Sequence, residues 1–569
     1  MKFIFTLLVA LPAVLTAPVL TGPVERAEVP VGPTVTITSP PATIIGKVSL
    51  TEGTEKFQGI PFAQPPVGEL RLKPPQRLNG SSLGTVIAQD NSPACPQMFF
   101  TTDTSNLPAG ILGVLLNTPL FQTITNAGED CLYIDVFRPV GTTADAKLPV
   151  IFWIFGGGFE LGGTAMYDGT SLVDESVAIG KPIIFVAVNY RTGGFGFMPG
   201  KEIMEEGSGN LGLLDQRMGL EWVADNIASF GGDPSKVTLW GESAGAISVM
   251  DQMVLFSGDH TYKQKPLFRA AIMSSGTLVP ADPLDCPKGQ NIYDTVVRTS
   301  GCDSSADTLA CLRGLPYNDF LNAANSVPGI LGYNSVSLSY LPRPDGIVLT
   351  KSPETLIAEK KFAKVPFIVG DQEDEGTIFA LFQSNISTTA QVVNYLTSIF
   401  FHSASTEQMT SIVNTYQDQG SENGSPFGTF SFNNWYGQYK RMAAILGDLT
   451  FTLTRRLFLN GIGTEVKSWS YLSSYAFGTP FLGTFHASDL ITVFYGILPN
   501  YATHAIRSYY FSFAYSMDPN ADSDYPEWPE WSKKKELMHF ENDSGVPMAD
   551  DFRADSYDMI ESLVDVLRL

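Results

Sequence analysis

Runs of five to nine mostly apolar residues recur along the chain: LPVIFWIF (148–155), PIIFVAVNY (182–190), KVTLW (236–240), AAIMSS (270–275) and VPFIVG (365–370). A strand with one face in water alternates apolar and polar positions, whereas a strand covered on both faces has no need to. These runs therefore predict a sheet with helices packed on both sides. Two earlier segments, TVTITS (34–39) and KVSL (47–50), do alternate and read as short edge strands. LLDQRMGLEWVADNIASF (213–230) has helical spacing and leads into KVTLW. Strand, helix and strand in succession predict a mostly parallel α/β sheet. The chemistry of such a sheet is expected beyond the carboxyl ends of its strands.

Composition narrows the picture. The chain has 569 residues, 44% of them hydrophobic and only 17% charged, so it can bury a large core. Its net charge of −22 speaks against nucleic acid and anionic membrane surfaces as partners, because both require Lys and Arg to displace counterions. At the N-terminus, Lys2 precedes the apolar run Phe3 to Leu15, and Ala17 offers a cleavage point. That is the pattern of a signal peptide over 1–17, too short and too interrupted by Pro12 to span a bilayer. Residues 18–569 are then expected to be one secreted, extracellular domain. Secretion makes disulfides possible among the five cysteines, an odd number that leaves at least one unpaired. Glycosylation sequons at Asn79, Asn385, Asn423 and Asn542 fit the same route.

The candidate chemistry begins at Gly241-Glu242-Ser243-Ala244-Gly245, a G-x-S-x-G motif between a strand and a helix. A turn so cramped exposes the Ser243 hydroxyl; the alternative is a plain connection. A serine needs a base, and there are five histidines, at positions 260, 402, 486, 504 and 539. His260 follows Ser243 too soon to leave room for an intervening acid. His402, His504 and His539 lie in helical or acidic contexts and read as surface residues. His486, in GTPFLGTFHASDL, has the setting of a loop above the sheet. The acid should follow a strand between Ser243 and His486, where VPFIVGDQEDEGT offers Asp371, Glu373, Asp374 and Glu375. Spacing does not choose among them. Gly156-Gly157-Gly158-Phe159 lacks the endings of a phosphate-binding loop and reads better as backbone donors for an oxyanion. The scattered histidines and the cysteine spacing give no metal site, and no cofactor is expected.

The segments FQGIPFAQPPVGELRL, EDCLYIDVFRP, WIFGGGFELGG, VNYRTGGFGF, VTLWGESAG and GDQEDEGT resemble, in order, the motifs of the type-B carboxylesterase/lipase family of α/β-hydrolases, which includes the cholinesterases. YLPRPDG, LGDLTFTLTRR and GTFHASDL are similar to secreted fungal lipases of the Candida rugosa type. The resemblance implies an α/β-hydrolase fold with Ser243 as nucleophile, Glu375 as acid and His486 as base. It further implies an oxyanion hole from Gly157, Gly158 and Ala244, with an acyl site at Ile247, Phe159 and Phe379. The disulfides it implies are Cys95–Cys131 and Cys302–Cys311, leaving Cys286 free.

Within the expected lid, 95–131, Leu107, Ile111, Leu112, Val114, Leu115 and Leu116 cover nearly every face of a short helix between Ser105 and Asn117. A helix there either packs into the core or covers the active-site mouth until an oil surface replaces it. The expected activity is hydrolysis of carboxylic esters through an acyl-enzyme, with long-chain acylglycerols as substrates and transient contact with a lipid–water interface. Sterol esters and small soluble esters are the alternatives. An exposed apolar mouth also admits a homodimer. A cholinesterase-like binding protein without catalysis is disfavoured, because none of the three triad residues is missing.

Overall fold

The computed structural model describes residues 31–49, 53–78, 80–99, 126–418 and 424–569. The expected signal peptide, most of the expected lid, Asn79 and Asn423 lie outside the described residues; Asn385 and Asn542 are exposed. From Gly32 onward the chain forms one compact unit around an eleven-stranded sheet. Its strands are β1 (Lys47–Val48), β2 (Thr54–Pro61), β3 (Tyr133–Pro139), β4 (Leu148–Ile154), β5 (Ile184–Val188) and β6 (Gly232–Glu242). They continue as β7 (Ala270–Ser274), β8 (Phe367–Gln372), β9 (Ser468–Ser473), β10 (Glu536–Phe540) and β11 (Gly545–Ala549).

The spatial order is β11-β10-β9-β8-β7-β6-β4-β5-β3-β2-β1. From β10 to β5 every neighbouring pair is parallel, and antiparallel strands close both edges. All residues of β5, β7, β8 and β9 are buried, which accounts for the unbroken apolar or small-residue character of β5 and β7 and of the first four residues of β8. The alternating TVTIT segment pairs in a separate three-stranded sheet with Pro41–Ile45, which in turn pairs with Gly84–Ile87.

The helix expected over 213–230 is α1 (Leu211–Asn226), followed by a tighter 3₁₀ turn at Ile227–Phe230. Gly231, in the left-handed region at φ 89°, ends it and turns the chain into β6. The next helix, α2 (Ala244–Gly258), starts directly after Ser243. His539 departs from the expectation of a surface histidine. It lies on β10, half-buried, and its Nε2 is 2.7 Å from the Ser474 hydroxyl.

Two disulfides are formed, Cys95–Cys131 and Cys302–Cys311, and Cys286 is a buried free thiol. Closing a loop of 36 residues, the first bridge removes unfolded-state entropy worth roughly 4 kcal/mol. Folded protein should therefore resist a thiol probe, while denaturation without reductant should expose one reactive thiol, mapping to Cys286. Peptide mapping that finds Cys286 in a disulfide, or two reactive thiols, contradicts this pairing.

Candidate active site

The β6–α2 turn is set by how closely it must pass other backbone. A Cβ added to Gly241 would lie 2.3 Å from the Gly245 backbone, and one on Gly245 would lie 2.0 Å from the Ile154 carbonyl oxygen. Only hydrogen fits at either position. Between them Ser243 adopts φ 57°, ψ −127°, a conformation unfavourable for a residue with a side chain. Its amide donates to the Ser274 carbonyl (2.9 Å), which anchors the strained residue to β7. The hydroxyl is thereby lifted off the end of β6 toward His486.

His486 Nε2 lies 2.7 Å from Ser243 Oγ, and Nδ1 lies 2.5 Å from Glu375 Oε2. All three side chains are buried, and the imidazole is flanked by Phe379 and Phe451, with ring centroids at 5.1 and 4.6 Å. A proton on Nδ1, held by the carboxylate, leaves Nε2 free to accept the serine proton.

The four acids after β8 separate by their partners. Asp371 pairs with Arg455 (3.0 Å), whose other nitrogens bind Asp550 at 2.7 Å. Burial pushes Asp550 upward, but Arg455 and Arg456 outweigh it and hold this carboxyl well below its ordinary range. Asp374 accepts hydrogen bonds from Ser425 Oγ and the amides of Phe427 and Thr484, so it fixes the loop carrying His486. Glu373 is half-buried; its amide donates to Ser473, and its side chain is not placed on the imidazole. Glu375 reaches His486, and its second oxygen accepts from the Gln372 amide at 2.7 Å.

Gly157 and Gly158, beyond β4, have φ 105° and 63°; a Cβ on Gly157 would lie 2.3 Å from the Leu161 carbonyl oxygen, while one on Gly158 would meet the Ile330 side chain. Among the described residues their amides have no protein acceptor. Gly158 and Ala244 both line the cavity that opens at Ser243. The cavity wall includes Phe159, Ile247, Ile330, Phe379 and Phe451. No group of acidic, histidine or cysteine side chains suited to a metal occurs among the described residues.

Two neighbouring acids escape a reading of the sequence. Glu242 Oε1 lies 3.6 Å from His486 Nε2 and has no hydrogen-bond partner among the described residues. Burial, reinforced by the charges of Asp489 and Glu375, raises this carboxyl well above its ordinary range. Asp489 is pushed up to about 7, chiefly by burial and then by Glu375. Their positions beside Ser243 and His486 in sequence were the available signal. That both side chains turn inward is visible only in three dimensions.

The chain matches the carboxylesterase family over residues 32–560. It is 62% identical to Secreted lipase 1 of Botryotinia fuckeliana over 95% of each chain. To Secreted triacylglycerol lipase LIP1 of Gibberella zeae it is 58% identical, over 92% of this chain and 90% of that one. Lipase 4 of Diutina rugosa is 46% identical, over 89% of this chain and 92% of that protein. Among solved structures, EstA of Aspergillus niger superposes with a TM-score of 0.76 at 25% identity, covering 95% of this chain and 99% of EstA. The chain belongs to the carboxylesterase family.

The partners of the four acids generate a discriminating experiment. Glu375→Gln should lower kcat by about 10³-fold or more with the fold retained, whereas Glu373→Gln should stay within about twofold of the parent. The reverse ranking, read from kcat and circular dichroism, would displace Glu375 from the assignment.

Proposed function

We propose that this protein is a secreted triacylglycerol lipase whose nucleophile is Ser243, with His486 as base and Glu375 as the acid that holds it. The observation carrying this reading is the continuous Ser243–His486–Glu375 hydrogen-bond chain, at 2.7 and 2.5 Å, on the wall of an apolar cavity. As Ser243 Oγ attacks the ester carbonyl, its proton passes to His486 Nε2, and Glu375 stabilises the imidazolium. The amides of Gly157, Gly158 and Ala244 receive the oxyanion, each donor being worth about 3 kcal/mol in the transition state. His486 then gives its proton to the departing alkoxide, leaving an acyl group on Ser243. Water, deprotonated by His486, attacks that ester; the bond to Ser243 Oγ breaks, His486 returns the proton to Oγ, and the carboxylic acid leaves.

Long acyl chains are favoured by the cavity wall, and the relatives named as secreted lipases support both substrate class and secretion. No helix among the described residues is long and apolar enough to cross a membrane. Contact with an oil surface is supported by Phe430, Phe432 and Phe477, all exposed. The first two sit on a loop held by Lys440 Nζ, which donates to the carbonyls of Pro426 and Phe430. The same loop binds Asp374 through the Phe427 amide, and Asn433 accepts from the Phe481 amide of the His486 loop. With few cations on a chain of net charge −22, attachment rests on apolar burial.

Ile247→Trp should shift preference toward shorter acyl chains across a p-nitrophenyl ester series from acetate to palmitate. An unchanged profile in a stable variant removes Ile247 from the acyl site. Phe430→Asp with Phe432→Asp should slow hydrolysis of emulsified triolein by about tenfold or more, from the roughly 1.5–3 kcal/mol that burying one such ring contributes. Soluble p-nitrophenyl butyrate should be cleaved as before; equal losses on both substrates would remove these rings from the interface.

A further inference from the structure

Two helical turns beyond Ser243, the acyl cavity contains a carboxyl group that ester hydrolysis does not use. Ser243, Ile247 and Asp251 are spaced i, i+4 and i+8, and all three line the cavity. Helical geometry persists along α2 past Asp251, the first departure being at Leu255. Asp251 is 1% exposed, and neither carboxyl oxygen has a hydrogen-bond partner among the described residues. The surrounding wall is apolar, with Val279, Val336, Leu338, Leu341 and Pro342.

Burial raises the Asp251 carboxyl well above its ordinary range, which favours its neutral form. A neutral carboxyl carries one donor and retains acceptor oxygens. A hydrocarbon tail lying against it satisfies neither and leaves a desolvated polar group unpaired. An oxygen function on the tail would both accept from it and, where it is a hydroxyl, donate back.

We propose that Asp251 is a specificity-determining residue that selects acyl chains carrying a hydroxyl or related oxygen function near mid-chain. This rests on the reading of the cavity as the acyl site of an ester hydrolase. Eight helical residues rise about 12 Å, the span of roughly nine or ten carbons of an extended chain. A polar group near the carboxyl end of the acyl chain would stop short of Asp251, and one at the far methyl end would pass it.

The test uses the full-length protein and p-nitrophenyl esters of stearate, of stearate hydroxylated at the second carbon, and of stearate hydroxylated at the tenth. The tenth-carbon ester should exceed plain stearate in kcat/KM by about tenfold, as a site built to hydrogen-bond a hydroxyl discriminates against the analogue lacking it. The second-carbon ester should show no such gain. Asp251→Leu should bring the ratio to one or below, while Asp251→Asn, which still donates and accepts, should retain a preference. An equal ratio in the parent and Asp251→Leu, or no positional preference in the parent, overturns the proposal in favour of a structural carboxyl satisfied by water. If Asp251→Leu does not fold, the parent's positional profile decides. Thermal shifts with free stearic acid and its tenth-carbon hydroxy derivative give a second readout, independent of turnover. Equal shifts overturn the role of Asp251, whereas failure of the parent to cleave p-nitrophenyl butyrate overturns the hydrolase reading instead.

Discussion

The passage of the β6–α2 turn over the end of β4 is the constraint on which the rest of the site depends. Gly245 lies against the Ile154 carbonyl so closely that a methyl group would sit 2.0 Å from it. That contact fixes where α2 begins, and with it the position of Ser243 relative to Gly157 and Gly158 beyond β4. Ser243 therefore holds a positive φ because the flanking backbone leaves no other path. Strain of this kind costs on the order of 1–3 kcal/mol and persists only where surrounding packing over-determines it. Here the buried strands on either side, β4 and β7, provide that packing.

Around this turn the molecule concentrates acidic groups, and it treats them in two ways. Asp371 and Asp550 both meet the guanidinium of Arg455. Against burial, Arg455 and Arg456 hold Asp550 well below its ordinary range, whereas burial raises Asp371 to about 8 despite Arg455. Glu242, Asp251 and Asp489 have no cation among the described residues, and burial raises all three, favouring the neutral form. The distinction separates support from function. The acids on Arg455 join β8 to the residue that follows β11, whereas Asp251 lines the cavity and Glu242 lies 3.6 Å from the imidazole. Removing one partner from the paired set would leave an uncompensated buried charge, a change that typically costs 3–5 kcal/mol.

Much of this was legible in the chain itself. Unbroken apolar runs located β4 to β8 because strands covered on both faces must be written that way. Gly241 and Gly245 marked Ser243, since cramped backbone excludes side chains, and the setting of His486 singled it out from the other histidines. The acid is a different matter. Asp371, Glu373, Asp374 and Glu375 are chemically alike and adjacent, and only long-range contacts tell them apart: Arg455 with Asp371, Thr484 with Asp374, His486 with Glu375. His539 was misplaced on the surface for the same reason. Its acidic neighbours in sequence say nothing of the Ser474 hydroxyl that meets it across the sheet.

A single helix links the two scales of the site. At its first turn α2 presents the Ala244 amide, at its second Ile247, and at its third Asp251, so the proposed oxyanion donor and the cavity wall are carried on one element. Any displacement of the helix that would relieve the strain at Ser243 would also move the chain-binding wall. On the proposed reading, positioning of the ester carbonyl and selection along its acyl tail are thus mechanically coupled through α2. The same coupling explains how a buried carboxyl without a cation persists at position 251. Because α2 begins at the Gly245–Ile154 contact, turning Asp251 out to water would also displace Ser243.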